Sequence, residues 1–482
     1  MKKYIAVFAA AALSLAAIPA AACGKKSQKN THYQLECEYD PSTSALHGEM
    51  TVTYRNSTEN EISALSFNLW GNAYREGAQF KPVDGTAATK AYYDGVSYGG
   101  ESVEKVEGCA EWEVCGDDEN ILSVKLNKPV YPDESCTVTV SYTLNLAKIN
   151  HRTGVTESTV NLGNFYPTLC AYSEEGFVEA PYYSCGDPFV SECADYDVKL
   201  TLPKEYVAAT SGKEVEKKNE GNKISYSYTL SNARDFACVL SDKFKVSERT
   251  VDGTAVKLYY TGETAPEPLL NAACDSLTYF NEQFGAYAYP TLSVVTTPLS
   301  VSGMEYPALT MIDSALEETD GIYTVVHENA HQWWYAMVGS DQLNCAFMDE
   351  GLAEYSCLCF FEKHPDYGFT RTGMLGTAIK SYRAYYSVYN QIFGKANTAM
   401  NRGLNEYASD YEYINVSYNK GLLMFESVRQ AMGDKKFFAA LQSYFAANCF
   451  KVASSGEMIS HFAKLYDVEG IFNSYINGKV VI

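Results

Sequence analysis

The pattern of hydrophobic and polar positions changes near residue 261. From residue 32 to about residue 261, apolar and polar residues alternate in short runs separated by turn-forming residues, which predicts β-strands without intervening helices. The clearest runs are 33–39, 48–54, 121–126, 136–142, 196–202, 224–230 and 256–260. This arrangement is typical of an antiparallel β saddle or sandwich domain. The Gly- and Tyr-rich segment 84–108 is predicted to be a long surface excursion.

Beyond residue 261 the apolar spacing becomes mainly helical. Residues 266–284 predict a helix, 292–297 a buried strand, and the apolar run 321–326 a helix that continues through His327. Further helices are predicted at 420–432, 435–445 and 457–466, the last with Ser454 or Ser455 as its cap. The chain is therefore predicted to be an α+β multidomain protein, with an N-terminal β domain over 32–250 and a mainly helical domain over 251–482.

The first 22 residues have the form of a signal peptide. Two lysines precede an apolar run, and three alanines end at Cys23. Small residues before a cysteine resemble the lipobox of a bacterial lipoprotein, so we expect an acylated Cys23, a tether over 23–31 and an extracytoplasmic, membrane-anchored protein. The alternative is secretion after cleavage near Ala22.

Composition narrows the possible partners. The formal net charge is −21, which argues against nucleic acid as a partner because a polyanion would be repelled.

The tyrosine and cysteine content also limits what the sequence can show. Tyrosine occurs 39 times, so a single tyrosine is weak evidence for a catalytic role without its sequence context. Apart from Cys23, thirteen of the 14 cysteines remain, and the pairs 109/115 and 185/193 are close enough along the chain to form disulfides.

The segment 327–331 has the form H-E-x-x-H. On a helix, residues four apart lie on one face, so His327 and His331 can direct two imidazoles at one metal ion. Glu350 follows His331 after eighteen intervening residues and supplies a carboxylate. Two histidines and one carboxylate form a zinc site with an open fourth position, so we expect one Zn²⁺ ion.

The same spacing suggests how the site would act. Glu328 lies beside a ligand and can accept the proton of a water molecule that attacks an amide carbonyl. Glu354, four residues after Glu350, can either hydrogen-bond a ligand imidazole or be an ordinary solvated carboxylate.

Three motifs together resemble the aminopeptidase N family of zinc metallopeptidases, in the gluzincin clan. Residues 327–334 (H-E-N-A-H-Q-W-W) with 350–355 (E-G-L-A-E-Y) match its metal motif, 303–307 (G-M-E-Y-P) resembles its G-x-M-E-N motif, and 418–421 (Y-N-K-G) matches its Y-x-K-G segment. The resemblance follows the β-then-helical layout along nearly the whole chain. It implies a thermolysin-like catalytic domain and a metallo-aminopeptidase.

The family also implies roles for individual residues. Glu305 would pair with the free α-amino group of a peptide, and the backbone of Gly303 and Met304 would hold the peptide as an added strand. Tyr418 would donate its hydroxyl to the oxyanion, and Tyr413 is a weaker second candidate. Without the resemblance, Glu305 is a carboxylate on an edge strand and Tyr418 a packing residue.

Two departures from the family pattern bear on this interpretation. Tyr306 and Pro307 replace the motif asparagine, so the amine-binding loop can differ in detail. The chain also resembles a short form without the large C-terminal helical domain, which predicts an open cleft. A second amine-recognising residue is expected in the β domain, where either Glu174 or Glu175, or neither, could serve.

Two alternative functions stay open at this stage. One is an open-cleft zinc endopeptidase, and the other is a peptide-binding lipoprotein without turnover. The sequence leaves open the preferred N-terminal residue and the oligomeric state.

Overall fold

A computed structural model describes residues 30–85, 87–264 and 266–479 of the chain. Strands dominate the first half and helices the second, so the predicted two-part layout is confirmed. The predicted signal peptide, Cys23 and nearly all of the tether lie outside the described residues. Within the described ranges, no helix has the length and apolar character needed to cross a membrane.

The N-terminal half contains seventeen strands and one short α-helix in the described ranges. In chain order they are β1 (Thr31–Asp40), β2 (Ala45–Arg55), β3 (Ile62–Asn68), α1 (Ala87–Ala91), β4 (Gly100–Glu107), β5 (Cys109–Cys115), β6 (Ile121–Val130), β7 (Ser135–Asn145), β8 (Thr153–Val155), β9 (Val160–Leu162), β10 (Thr168–Leu169), β11 (Tyr172–Ser173), β12 (Gly176–Phe177), β13 (Ala194–Pro203), β14 (Val207–Thr210), β15 (Lys213–Glu220), β16 (Lys223–Ala233) and β17 (Cys238–Ser241).

A seven-stranded sheet forms the largest layer of this half, in the order β15-β16-β13-β1-β2-β7-β4. Every pair in it is antiparallel except β1 with β13, which is parallel. Alternate residues of β1 (Tyr33, Leu35 and Cys37) are buried, because successive side chains of a strand point to opposite faces. The prediction of a surface excursion over 84–108 was wrong in part. This segment contains α1 and β4, and β4 forms the edge of the sheet beside β7.

The C-terminal half combines seven strands with ten α-helices in the described ranges. They are β18 (Lys245–Val251), β19 (Thr254–Tyr260), α2 (Glu267–Gln283), β20 (Thr291–Thr297), β21 (Gly303–Met304), β22 (Leu309–Asp313), α3 (Glu318–Ala330), β23 (Gly339–Ser340), α4 (Gln342–Cys345), α5 (Glu350–Lys363), α6 (Arg371–Phe393), α7 (Asp410–Tyr413), α8 (Lys420–Met432), α9 (Asp434–Asn448), β24 (Val452–Ala453), α10 (Ser455–Leu465) and α11 (Glu469–Ile476).

A five-stranded sheet begins this half, in the order β18-β19-β20-β22-β21. The two-residue strand β21 is its edge and contains Gly303 and Met304. The predicted domain boundary at residue 250 falls within β18, which pairs with β19 in this sheet. Helix α10 begins after Ser454, whose hydroxyl accepts a hydrogen bond from the Glu457 backbone N–H, in agreement with the predicted cap.

The two halves are joined by buried polar contacts. The guanidinium of Arg234 donates to the carbonyl oxygens of Tyr335, Ser191 and Lys451 at 2.7, 2.7 and 2.5 Å. The hydroxyl of Tyr289 lies 3.1 Å from the carbonyl oxygen of Asn232 and 3.3 Å from that of Ala336. Because these groups are buried, losing a partner would leave unsatisfied polar atoms, and the contacts hold the β-rich half against the helices. In the described ranges, neither of the two cysteine pairs considered above, 109/115 and 185/193, forms a disulfide.

Candidate metal centre

Three predicted ligands converge at the C-terminal end of α3. The Nε2 atoms of His327 and His331 are 3.1 Å apart, and Glu350 Oε2 lies 3.3 Å from the first and 3.2 Å from the second. Donors about 2.0–2.2 Å from a tetrahedral zinc ion are separated by roughly 3.3 Å, so this spacing fits a zinc ion at their centre. The residues are buried and form the candidate zinc site.

The remaining nitrogen of each ligand histidine also has a partner. Nδ1 of His327 lies 3.2 Å from Glu354 Oε2, and Tyr323 donates its hydroxyl to Glu354 Oε1 at 2.5 Å. Nδ1 of His331 lies 3.3 Å from the carbonyl oxygen of Trp334. Such contacts fix the orientation of a ligand ring. Glu354, for which the sequence left two interpretations, therefore contacts a ligand imidazole.

Glu350 opens α5, where the Asp349 carboxylate caps the helix by accepting from the Glu350 backbone N–H at 2.9 Å. Tyr418 donates its hydroxyl to Glu350 Oε1 at 2.5 Å. Tyr418 therefore reaches the metal centre, as the resemblance implied, although its part in the reaction stays a prediction.

A contact between two glycines brings Tyr418 close to α5. A Cβ atom added to Gly421 would lie 2.7 Å from the Cα of Gly351, and one added to Gly351 would lie 3.1 Å from the Cα of Gly421. The backbones of α5 and α8 therefore touch at this point without a side chain between them. This contact accounts for both glycines of the E-G-L-A-E and Y-x-K-G segments.

Glu328 lies against the edge strand. A Cβ atom added to Gly303 would lie 2.2 Å from Glu328 Oε1 and 2.7 Å from Thr324 Cγ2. Only a glycine at position 303 leaves space for the Glu328 carboxylate. The candidate base can therefore lie directly against the backbone of β21. Burial raises the pKa of Glu328 to about 7, while the two ligand histidines act in the opposite direction.

Glu305 follows β21 and its carboxylate is buried beside the metal centre. Side-chain donor atoms of Glu305, Glu328 and His331 lie within 4.8 Å of one another. Glu305 is 4% exposed, and its Oε1 has no hydrogen-bond partner among the described residues. Burial, followed by the charge of Asp187, raises the pKa of Glu305 well above its ordinary value. A buried, unpaired carboxylate is costly, so this position favours a cationic ligand.

The charges at the centre act strongly on one another. Burial opposes protonation of His331, but the charges of Glu305 and Glu350 raise its pKa to about 10. Burial also opposes ionisation of Glu350, but His331 and the hydrogen bonds from both histidines hold its pKa below the ordinary value. Two imidazoles and one carboxylate, brought together by His327, His331 and Glu350, are a donor set that suits a divalent ion.

The metal centre lies in a cleft of about 490 Å³ that both halves of the chain line. Gly303, Met304, Glu305, Glu328 and Tyr418 all line it, as does Tyr413. Glu174 and Glu175 are exposed residues around the β11–β12 turn and do not line the cleft.

The β-rich half contributes the carboxylate of Asp187 to this cleft, where its charge acts on Glu305 and it forms an ion pair with Arg152. Sequence reasoning missed both residues. Asp187 stands within the turn-like sequence Gly186-Asp187-Pro188, but a turn signal does not reveal a position in a cleft.

The fold, in which a β-rich half is followed by a helical half, is similar to that of solved two-domain M1 zinc metallopeptidases. Residues 269–475 match the model of the Peptidase family M1 domain. Aminopeptidase M1-A of Oryza sativa subsp. japonica is 22% identical over 295 residues, which cover 55% of this chain and 32% of that protein. Aminopeptidase M1-B of the same plant is 23% identical over 290 residues, with 55% and 32% covered. The chain spans about a third of the length of these relatives.

Solved structures show the same fold over nearly the whole chain. The M1 zinc metallopeptidase from Deinococcus radiodurans has a TM-score of 0.67 at 16% identity, covering 94% of this chain and 95% of that one. A mutant of that protein bound to a Tyr-Ser-Ala substrate has a TM-score of 0.65 at 17% identity, with the same coverage.

Proposed function

We propose that the protein is a zinc-dependent aminopeptidase that hydrolyses the N-terminal peptide bond of peptides with a free α-amino group. The observation that carries this proposal is the buried Glu305 carboxylate with its unpartnered oxygen, within 4.8 Å of donor atoms of Glu328 and His331. The α-ammonium group of a peptide would neutralise the charge of the Glu305 carboxylate. A peptide bound to Glu305 in this way presents its first peptide bond to the metal centre. The domain match and the aminopeptidase names of the relatives support the same class of reaction.

The substrate backbone would be held by the edge strand. In the part of the chain that the structure describes, strand β21 pairs on one side only, with β22, and its residues Gly303 and Met304 line the cleft. An extended peptide can add to such an edge through main-chain hydrogen bonds. The solved M1 zinc metallopeptidase mutant that is bound to a Tyr-Ser-Ala substrate supports a short peptide as ligand.

The chemical step would be divided between Glu328 and Tyr418. His327, His331 and Glu350 would hold the zinc ion, which would supply polarisation of the scissile carbonyl and a lowered pKa of water. Glu328 accepts the proton of the attacking water and later passes it to the leaving amine. Tyr418 donates its hydroxyl to the oxyanion, for which it must exchange its present bond to Glu350.

The experiment that tests this function measures hydrolysis of aminoacyl-p-nitroanilides before and after chelation and zinc restoration. We expect activity to disappear with the chelator and to return with zinc. The same protein is then given one peptide in free and N-acetylated form. Equal cleavage of both forms would favour an open-cleft endopeptidase. A protein that binds peptide and zinc without turnover would favour the non-catalytic alternative.

We also propose that Cys23 is acylated and anchors the protein at the outer side of a bacterial membrane. The support is the small residues before Cys23 and the polar tether after it. Labelling with a palmitate analogue should mark the wild type and not Cys23→Ser. An unlabelled wild type released into the medium would favour secretion.

A further inference from the structure

The residues directly behind Glu305 form a turn in a costly conformation. The Leu309 backbone N–H donates to the Tyr306 carbonyl oxygen at 3.0 Å, which closes a four-residue turn with Pro307 at its second position. The third position, Ala308, has a φ of +57°. A residue with a Cβ atom rarely adopts this left-handed conformation, and turns of this kind normally have glycine or asparagine there. Other groups must therefore hold this turn in place.

One support is the side-chain amide of Gln332. Its Nε2 donates to the Tyr306 carbonyl oxygen at 3.1 Å, and its Oε1 accepts from the Ala308 backbone N–H at 2.7 Å. Gln332 is fully buried and directly follows the ligand His331. A single carboxamide therefore spans the turn and connects it to the metal helix.

The second support comes from the β-rich half. The Tyr306 hydroxyl donates to Asn164 Oδ1 at 2.8 Å, and Asn164 Nδ2 donates to Asp235 Oδ2 at 2.9 Å. The other oxygen of Asp235 accepts from the Tyr166 hydroxyl and the Phe236 backbone N–H, both at 2.7 Å. A Cβ atom at Gly163 would lie 1.9 Å from the Tyr306 hydroxyl. The Tyr306 side chain therefore fits at this position only because residue 163 is a glycine.

We propose that Tyr306, Asn164 and Gln332 are positioning residues that aim Glu305 at the α-amino group of the substrate. The inference rests on the proposed function, because Glu305 acts there as the amine anchor. Glu305 Oε1 has no hydrogen bond to another described residue, so the turn behind it sets its direction. The β-rich half thereby controls recognition of the free amine, and the helices control hydrolysis. Tyr306, where the family has asparagine, is the residue that makes this connection.

The main test uses Tyr306→Phe, which removes the hydroxyl and keeps the ring. We expect the KM for an aminoacyl-p-nitroanilide to rise about tenfold, the factor that one buried hydrogen bond carries, while kcat and zinc content stay within about twofold. The preference for a free over an N-acetylated peptide should fall by a similar factor. The matched control is Tyr289→Phe, since Tyr289 is equally buried and its hydroxyl also contacts both halves, away from this turn.

A second variant approaches the same bond from its other end. Asn164 has a φ of +51°, so Asn164→Gly removes the acceptor without straining the backbone. It should reproduce the rise in KM, and the double variant should add little to either single one. If one variant does not fold, the other carries the test.

Two results would contradict the proposal in different ways. If the wild type discriminates against the acetylated peptide and both variants retain its KM and its preference, the positioning role is wrong. If Tyr289→Phe raises the KM as much as Tyr306→Phe does, the effect is a general loss of packing. A wild type without turnover, or without preference for the free amine, would instead contradict the proposed function itself.

Discussion

The two ends of the cleft are built from different kinds of structure. The metal end, around His327, His331 and Glu350, is formed by regular helices. The amine end, around Glu305, is formed by a two-residue strand, a turn and loops of the β-rich half. At the metal end, α3 and α5 hold the ligands, and Glu354 and Trp334 fix the rings from behind. At the amine end, Glu305 depends on side chains from distant segments. This difference implies that separate groups of residues determine the reaction rate and the choice of substrate. Mutations at the metal end should therefore change mainly kcat, and mutations at the amine end mainly KM.

The largest expected effect is at the metal end, for Glu328→Gln. The amide cannot accept the proton of the attacking water, so kcat should fall by about 10³ to 10⁴. KM and zinc content should change little, because Glu328 is not a ligand. Steady-state kinetics with metal analysis checks this. Turnover close to that of the wild type would refute the assignment of Glu328 as the base.

Tyr418→Phe comes next and also belongs to the metal end. Loss of an oxyanion donor should lower kcat by about 10² to 10³, with little change in KM. Because the Tyr418 hydroxyl also bonds to Glu350, zinc content must be measured in parallel. A variant that loses zinc in proportion to its activity would assign Tyr418 to support of the ligand.

Glu305→Gln tests the amine end. Removing the charge should lower kcat/KM for free-amine substrates by about 10², mainly through KM. An N-acetylated peptide should be affected far less, since it has no ammonium group. Equal losses for both substrates would mean that the two ends of the cleft are not separate.

The smallest effect is expected for Tyr323→Phe, which leaves Glu354 without its hydroxyl donor. Zinc affinity should weaken by about tenfold, because the group that orients His327 is less firmly held. Competition with a chelator measures this, and activity at saturating zinc should be retained. Unchanged affinity would show that Glu354 needs no support from Tyr323.

The same contrast explains how much could be predicted from the sequence. The metal ligands follow from spacing on helices, and the predicted helix 420–432 agrees with α8. Asp187 and Arg152 could not be found in this way, because only tertiary folding brings their two separate segments to the cleft beside Glu305. The suggestion of Glu174 or Glu175 relied on position along the chain, whereas the structure has both at an exposed turn. Strand β4 was missed because the Gly- and Tyr-rich segment around it lacks a clear alternation.

The contact between Gly351 and Gly421 has a consequence for redesign of this protein. Where two backbones touch, the separation between the backbone segments that carry Tyr418 and Glu350 does not depend on any intervening side chain. Other surfaces of α8 can therefore be repacked for thermal stability while the geometry around the metal is preserved. A methyl group at either glycine would move the hydroxyl away from the centre, so a library of stabilised variants should leave this pair unchanged.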